Sequence, residues 1–289
     1  MSVRDCRYDG SRKLNIKAAP TGAGDEREHK QELEERTAEN IACACQLQEM
    51  LMAEGREGLI VAIQARDAAG KDSLIKKVFS GLNPAGLTVH AFKAPTGTEL
   101  SHDYLWRIMQ AVPPRGQIGV FNRSHYEDVL VTRVHHLEKG YALPQRCLTE
   151  DFYQRRYAQL RSWEQYLYEN GYRMIKLFLN VSKEEQRKRF LDRMELAEKH
   201  WKLSLADMKE RAQWDEYDQA YEDAINATAA PESPWYVVPA DNKWYTRYLV
   251  SQILVDTLEE MNPAYPPLDS AEAAKIPAAI AQLEREEYN

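Results

Sequence analysis

The chain has 289 residues, 44% of them apolar, which is enough for one sizeable core and favours a single α/β domain with helical additions over two independent domains. Its formal net charge of −7 argues against a surface that binds nucleic acid or an anionic membrane throughout. No run of roughly 18 apolar residues is present, the N-terminus lacks the apolar stretch of a secretion signal, and four cysteines (Cys6, Cys43, Cys45, Cys147) suit neither a disulfide framework nor a zinc site, so a soluble cytoplasmic protein is expected.

Residues 1–25 are polar and contain Gly, Ala and Pro, which predicts an extended or partly disordered arm without a core of its own. Helical composition runs from about Glu26 to Glu54 and ends at Gly55. The apolar run Leu59–Ile63, bounded by Gly58 and a turn over 65–70, predicts a fully buried parallel strand, with a helix following to Gly81. A strand near Leu87–Phe92, a helix from about Glu99 to Gln110 and a strand at Gln117–Phe121 continue the alternation. Ser124 and Glu127 have the S-x-x-E spacing of a capping box. A long helix over Leu148–Asn170 places Phe152, Leu160, Trp163 and Leu167 on one stripe. After a strand at Met174–Leu179, Ser182 and Glu185 predict a second capping box and a charged helix to about Lys199. Ser204 can cap a further helix, Trp235–Val238 forms the last strand, and Asn242–Met261 the last helix. The tail 263–289 is expected on the surface. Strands separated by helices predict a parallel sheet covered on both faces, with ligands at the carboxyl ends of its strands.

The segment Ala65-Arg-Asp-Ala-Ala-Gly-Lys-Asp-Ser73 follows a buried strand and opens a helix, which is the setting of a phosphate-binding loop. Backbone amides of Ala68, Ala69 and Gly70 and of the helix start at Lys71, Asp72 and Ser73 would cradle phosphate oxygens, with Lys71 supplying charge. Ala65 and Asp72 depart from the usual G-x-x-x-x-G-K-[ST] pattern. Asp67 inside the loop would repel phosphate unless it holds Mg²⁺, which bridges carboxylate and phosphate oxygens. At the end of the third strand stands neutral Asn122, followed by Arg123, which can pair bidentately with a phosphate. Glu127 either serves the capping box or belongs to the site, and Asp128 reads as a first-turn helix acid. Between Lys183 and Lys202 seven basic residues meet five acids, an excess of two that makes this segment a candidate basic site. Adjacent His135 and His136 diverge on a helix and predict no metal site.

Seven segments together resemble the polyphosphate kinase 2 family: Asp67-Ala-Ala-Gly-Lys-Asp-Ser73, Ser80-Gly-Leu-Asn-Pro84, Phe92-Lys-Ala-Pro95, His102-Asp-Tyr-Leu-Trp-Arg107, Phe121-Asn-Arg-Ser-His-Tyr-Glu-Asp-Val-Leu130, Lys199-His-Trp-Lys202 and Ala240-Asp-Asn-Lys-Trp244. They span roughly residues 30–262, and Asn122-Arg-Ser-His-Tyr-Glu-Asp128 is most similar to the class III branch, associated with phosphorylation of both nucleoside mono- and diphosphates. The resemblance implies a thymidylate-kinase-like P-loop fold over 26–262 with a mobile helical lid at about 183–210, and Mg²⁺ dependence. It also implies transfer of the terminal phosphoryl group of inorganic polyphosphate to AMP and ADP, and a homo-oligomer, dimer or tetramer. Carried over residue by residue, Asp67 and Lys71 belong to the Walker A element and Asn122 and Arg123 to Walker B, while Arg189, Arg193, Lys199 and Lys202 match the lid. Arg189 and Arg193 share a helix face and either clamp successive phosphates or form a solvated face with a Glu185–Arg189 pair. Lys93 either touches the acceptor phosphate or is a surface lysine, and with Asp103, Arg107 and Arg133 it makes the candidate nucleotide set. Leu74 departs from a threonine expected in most relatives. An ATP-dependent nucleoside monophosphate kinase of the same fold and a non-catalytic polyphosphate or nucleotide sensor are the rival readings.

Overall fold

The structure is a computed structural model that describes residues 2–202 and 206–286. A short helix α1 (Val3–Cys6) leads into β1 (Arg7–Tyr8), and the long helix α2 (Lys30–Glu54) ends at Gly55, whose left-handed backbone (φ 65°) closes it. Then come β2 (Gly58–Ala65), α3 (Lys71–Val78) and β3 (Leu87–Ala91), the short helices α4 (Gly97–Leu100) and α5 (Trp106–Met109), and β4 (Ile118–Asn122). Helices α6 (Val131–His135) and α7 (Phe152–Glu169) precede β5 (Tyr172–Asn180), and α8 (Lys183–Glu195), α9 (Ala206–Ala212) and α10 (Trp214–Thr228) precede β6 (Trp235–Pro239). Helix α11 (Lys243–Met261) and two tail helices, α12 (Ser270–Ala273) and α13 (Ile276–Glu286), complete the chain.

The six strands lie in the order β1-β6-β5-β2-β4-β3, parallel throughout except for β1, which pairs antiparallel with β6. β2 is the central strand and is buried along its whole length, which is why its sequence is an unbroken apolar run rather than an alternation. One face is covered by α2, α3 and α11 through Leu51, Val78, Leu249 and Leu254, and the other by α7 and α10 through Leu160, Trp163, Tyr221 and Ile225. Lys176 of β5 points into that second layer with no exposure at all and is matched there by Glu164 of α7 at 2.6 Å. Tyr126 OH also donates to Glu164, at 2.7 Å, and His125 Nε2 lies 3.1 Å from it.

Three expectations need correction. The arm is docked over residues 2–25 rather than disordered: Cys6, Leu14 and Ile16 are buried, Asn226 Oδ1 accepts from Leu14 N at 2.7 Å, and β1 adds an edge to the sheet. The helix expected over Glu99–Gln110 is broken into α4 and α5, because Asp103 accepts from Leu105 N at 2.9 Å and so stabilises a turn between them. Ser124 caps only a 3₁₀ turn, accepting from Tyr126 N at 3.3 Å, and Glu127 does not return to close a capping box. Ser182 caps α8, accepting from Glu185 N at 3.1 Å, but Glu185 turns to Arg189 Nε at 2.8 Å and does not close the expected capping box either. Ser204 lies outside the described residues, as do the side chains of Lys199 and Lys202. The described part of the tail, 263–286, lies on the surface as expected, with Ile276, Ile280 and Leu283 exposed. Among the described residues no helix is long and apolar enough to cross a membrane.

Candidate active site

The loop after β2 reverses direction with two residues in the left-handed region, Ala68 (φ 60°) and Gly70 (φ 114°). Gly70 takes that conformation freely, whereas Ala68 holds it at a cost of order 1 kcal/mol that the surrounding contacts must offset. Gly70 is the N-cap of α3, and the first intrahelical bond runs from Leu74 N to Gly70 O at 2.9 Å. The amides of Lys71, Asp72 and Ser73 therefore precede the helical ladder and leave the positive end of the helix open at the cleft. Lys71 Nζ donates to Ala65 O at 3.0 Å, anchoring the loop's last residue to its first. Burial pushes the Lys71 pKa down and the Arg123 guanidinium adds to the fall, against the opposing charges of Asp67, Glu127 and Asp72. Leu74, where relatives are expected to carry threonine, is buried in the core, so its side chain has no access to phosphate. Ser73 Oγ donates to Gly70 O at 2.9 Å and steadies the same turn.

Arg123 sits at the end of β4 with its own left-handed backbone (φ 65°) and donates its amide to Ile63 O of β2 at 3.0 Å. Its guanidinium bridges two carboxylates, Asp67 Oδ1 and Glu127 Oε2, each at 3.2 Å. Glu127 is the larger cause of its raised pKa; burial opposes, and Asp67 adds to the rise. Beside this trio Asn122 Nδ2 donates to Asp72 Oδ1 at 3.0 Å, which gives the Asp72 departure a partner and ties β4 to the start of α3. The loop is also held from behind. Buried Arg66 bonds Asp218 of α10 and stacks on Trp214 with 4.4 Å to the ring centroid, and burial pushes its pKa down to about 10.

In front of the loop a cleft of ≈ 590 Å³ runs between the phosphate-binding loop and α8, with Lys71, Lys93, Arg123, Arg193 and Lys243 along its walls and the exposed Trp201 at one side. The polyphosphate kinase 2 family model matches residues 25–266, nearly the whole of this architecture. The chain belongs to the polyphosphate kinase 2 family. It is 41% identical over 285 residues to an ADP-polyphosphate phosphotransferase of Rhodopseudomonas palustris, covering 98% of this chain and 99% of that one. It is 47% identical over 225 residues to an AMP/ADP-polyphosphate phosphotransferase of Meiothermus ruber, covering 78% and 80%. A crystal structure of polyphosphate kinase 2 from Arthrobacter aurescens superposes with a TM-score of 0.81 at 39% identity, covering 96% of each chain.

Within this member of the polyphosphate kinase 2 family, the residues expected from sequence fall into two groups. Asp67, Lys71, Asn122, Arg123, Lys93 and Arg193 all line the cleft. Arg107 supports it from behind, donating to Lys93 O at 2.7 Å. Asp103 is exposed and spends Oδ1 on Leu105 N, and Arg133 lies between α6, α7 and α10, bonded to Tyr157 OH and Asp223 Oδ2 at 2.7 Å each. Neither is among the residues lining the cleft. Asp128 is buried against Arg156 at 2.9 Å and Tyr141 OH at 2.8 Å, and burial raises its pKa, so it belongs to the scaffold. Arg189 is the main departure. It faces the loop, but it is 7% exposed and all five of its N–H groups have protein acceptors: Glu185 Oε1 (2.8 Å) and the carbonyls of Ala68 (3.0 Å), Ala69 (2.7 Å), Ala240 (2.7 Å) and Asp241 (3.0 Å). It lines the cleft beside Arg193, with its donors directed to these protein acceptors.

Sequence reasoning missed Asp207 of α9, which faces Arg193 at 3.3 Å, and Lys243 at the start of α11. Burial and the nearby Asp67 charge raise the Asp207 pKa, partly offset by Arg193. Lys243 was within reach of the sequence, since it lies in the Ala240–Trp244 segment; Asp207 carried no signal. Among the described residues no group of three or more His, Cys, Asp or Glu is placed to hold a metal ion. His135 instead meets Glu210 at 2.8 Å.

Proposed function

We propose that the protein transfers the terminal phosphoryl group of inorganic polyphosphate to AMP and to ADP, reversibly and in the cytoplasm. The observation that carries this reading is one open cleft at a phosphate-binding loop, in a chain of this family, where Lys71, Lys93, Arg123, Arg189, Arg193 and Lys243 outnumber the acids Asp67, Asp72, Asp192 and Glu198. A polyanion needs a local excess of positive charge, and this cleft supplies it despite the chain's net charge of −7.

In the transfer, an ionised oxygen of the acceptor's terminal phosphate attacks the last phosphorus of the polyphosphate. A new P–O bond forms, the old anhydride bond breaks, and its electron pair leaves on a polyphosphate one unit shorter. The attacking oxygen carries no proton at neutral pH, so no general base is required. The protein positions the partners and neutralises charge: the loop amides and Lys71 hold phosphate oxygens, and Arg123 and Arg193 balance the charge that spreads over the transferring group. A Mg²⁺ ion fits this donor set, because it is ordinarily held by only one or two carboxylates plus substrate phosphates and its own water. Asp67, partly exposed in the cleft, is the carboxylate assigned to it. When bound, the ion neutralises phosphate charge.

Glu127 acts through Arg123 rather than as a helix cap, and we assign to this pair the acceptance of AMP beside ADP. The test is nucleotide formation by purified protein with Mg²⁺ and polyphosphate, supplied with AMP or ADP and no ATP. Product that appears only with ATP as donor would overturn the reading in favour of a nucleoside monophosphate kinase, and polyphosphate binding without product would favour a sensor.

A further inference from the structure

Helix α8 carries Ser182, Gln186, Arg189 and Arg193 on one face, at spacings of four, three and four. The first three are fixed to the site, Gln186 and Arg189 through backbone carbonyls and Ser182 through the Asp241 side chain. Ser182 N donates to Asp241 Oδ1 at 2.7 Å, Gln186 Nε2 to Asp67 O at 2.9 Å, and Arg189 spans the carbonyls of Ala68 and Ala69 on one side and of Ala240 and Asp241 on the other. Arg193, one turn further on, meets Asp207 of α9, and Gln186 Oε1 also accepts from Arg211 of that helix at 2.8 Å.

We propose that Arg189 is a positioning residue that sets the phosphate-binding loop, and that it does not touch polyphosphate. The inference rests on the transfer reading given above. A peptide carbonyl and the amide that follows it in the same peptide plane point in opposite directions. By drawing the carbonyls of Asp67 and Ala69 toward α8, Gln186 and Arg189 turn the amides of Ala68 and Gly70 the other way, while the Ala69 amide, behind the Ala68 carbonyl, closes the turn onto Arg66 O at 3.2 Å. The same guanidinium holds Ala68 in its left-handed conformation, which alanine does not keep unaided. Its planar fork suits four carbonyls arranged in two pairs, a pattern that a lysine ammonium cannot reproduce. The base of α8 is therefore tied to the loop it faces.

The experiment compares Arg189→Met, Arg189→Lys, Glu185→Gln and Arg193→Met with the parent by two readouts: amide hydrogen exchange over residues 66–74, and kcat and KM for polyphosphate over a range of salt. For Arg189→Met the loop amides should exchange at least about tenfold faster, and kcat should fall on the order of 10²-fold, the scale of a small misplacement in a reacting site. The slope of log KM against log salt should stay at the parent's value. Arg193→Met should do the reverse, with parental loop exchange and a slope shallower by roughly 0.7, the share of one phosphate contact on a flexible polyanion. Arg189→Lys keeps the charge and should still be impaired. Glu185→Gln, which weakens the anchor without orphaning a carbonyl, should move loop exchange and kcat mildly in the same direction, and it decides the matter if Arg189→Met does not fold. Parental kinetics in Arg189→Lys, or a shallower salt slope with parental loop exchange in Arg189→Met, would overturn the proposal. Absence of polyphosphate-dependent activity in the parent would instead sink the transfer reading, while loop exchange would still decide whether Arg189 braces the loop.

Discussion

Lys71 and Asp67 both line the cleft, but their loss should be felt in different ways. Lys71→Met removes an ammonium that is anchored in the loop on Ala65 O at 3.0 Å and is already held in a partly desolvated place. At ~4 Å from a phosphate charge and an effective dielectric constant near 20, that ammonium contributes ~4 kcal/mol. Loss of one such stabiliser lowers kcat by on the order of 10²–10³, and added Mg²⁺ should not restore it. Asp67→Asn keeps the size of the side chain and an oxygen for Arg123, but removes the charge assigned to the metal and leaves Arg123 with Glu127 as its one charged partner of the present two. Its activity should collapse at low Mg²⁺ and recover in part as Mg²⁺ is raised. The assay is a Mg²⁺ titration of polyphosphate-dependent ADP formation for both variants and the parent, with circular dichroism to show that the fold is kept. If Asp67→Asn has the parent's rate and Mg²⁺ midpoint, the metal assignment is wrong and Glu127 becomes the next carboxylate to test, Asp128 being committed to Arg156 and Tyr141.

Glu127→Gln should lower the rate with AMP roughly twofold to fivefold more than the rate with ADP, the scale of a partly exposed charge pair; an equal fall with both acceptors would return Glu127 to a structural role. Lys176→Met leaves Glu164 as a buried charge without its partner and should destabilise the fold by about 3–5 kcal/mol in urea titrations, with Lys176→Met plus Glu164→Gln recovering much of the loss; a single variant as stable as the parent would show the pair to be unimportant. Burial alone would raise the Glu164 pKa, but Lys176 and His125 outweigh it and bring it down from 4.5 to about 2. The stability this group contributes is therefore fully present above about pH 4.5 and is lost as pH falls toward 2, and urea midpoints measured between pH 6 and 3 should drop more steeply for the parent than for Glu164→Gln.

How much was legible depended on whether the signal was local. β2 and its loop were legible because a central parallel strand is apolar along its length and the Gly70-Lys71 turn follows it directly. β1 was not, since two residues carry no periodicity and are ordered only by pairing with β6. The break between α4 and α5 was hidden in a polar stretch where Asp103 could as well have been helical. Arg189 shows the sharper limit. Spacing places it on the same face as Arg193, but its partners are backbone carbonyls at 68, 69, 240 and 241, and carbonyls have no letter in a sequence. Lys176 reads as the solvent side of a strand, and only the placement of β5 between β2 and β6 makes it buried and in need of Glu164.

The central claim is that polyphosphate is the phosphoryl donor for both AMP and ADP, and the direct measurement is a time course of nucleotides formed by purified protein from AMP, Mg²⁺ and polyphosphate with no ATP present. The account predicts that ADP accumulates first and ATP follows, and that ADP supplied alone gives ATP. Product formed only when ATP is the donor, or no product from either donor while polyphosphate still binds, would contradict it.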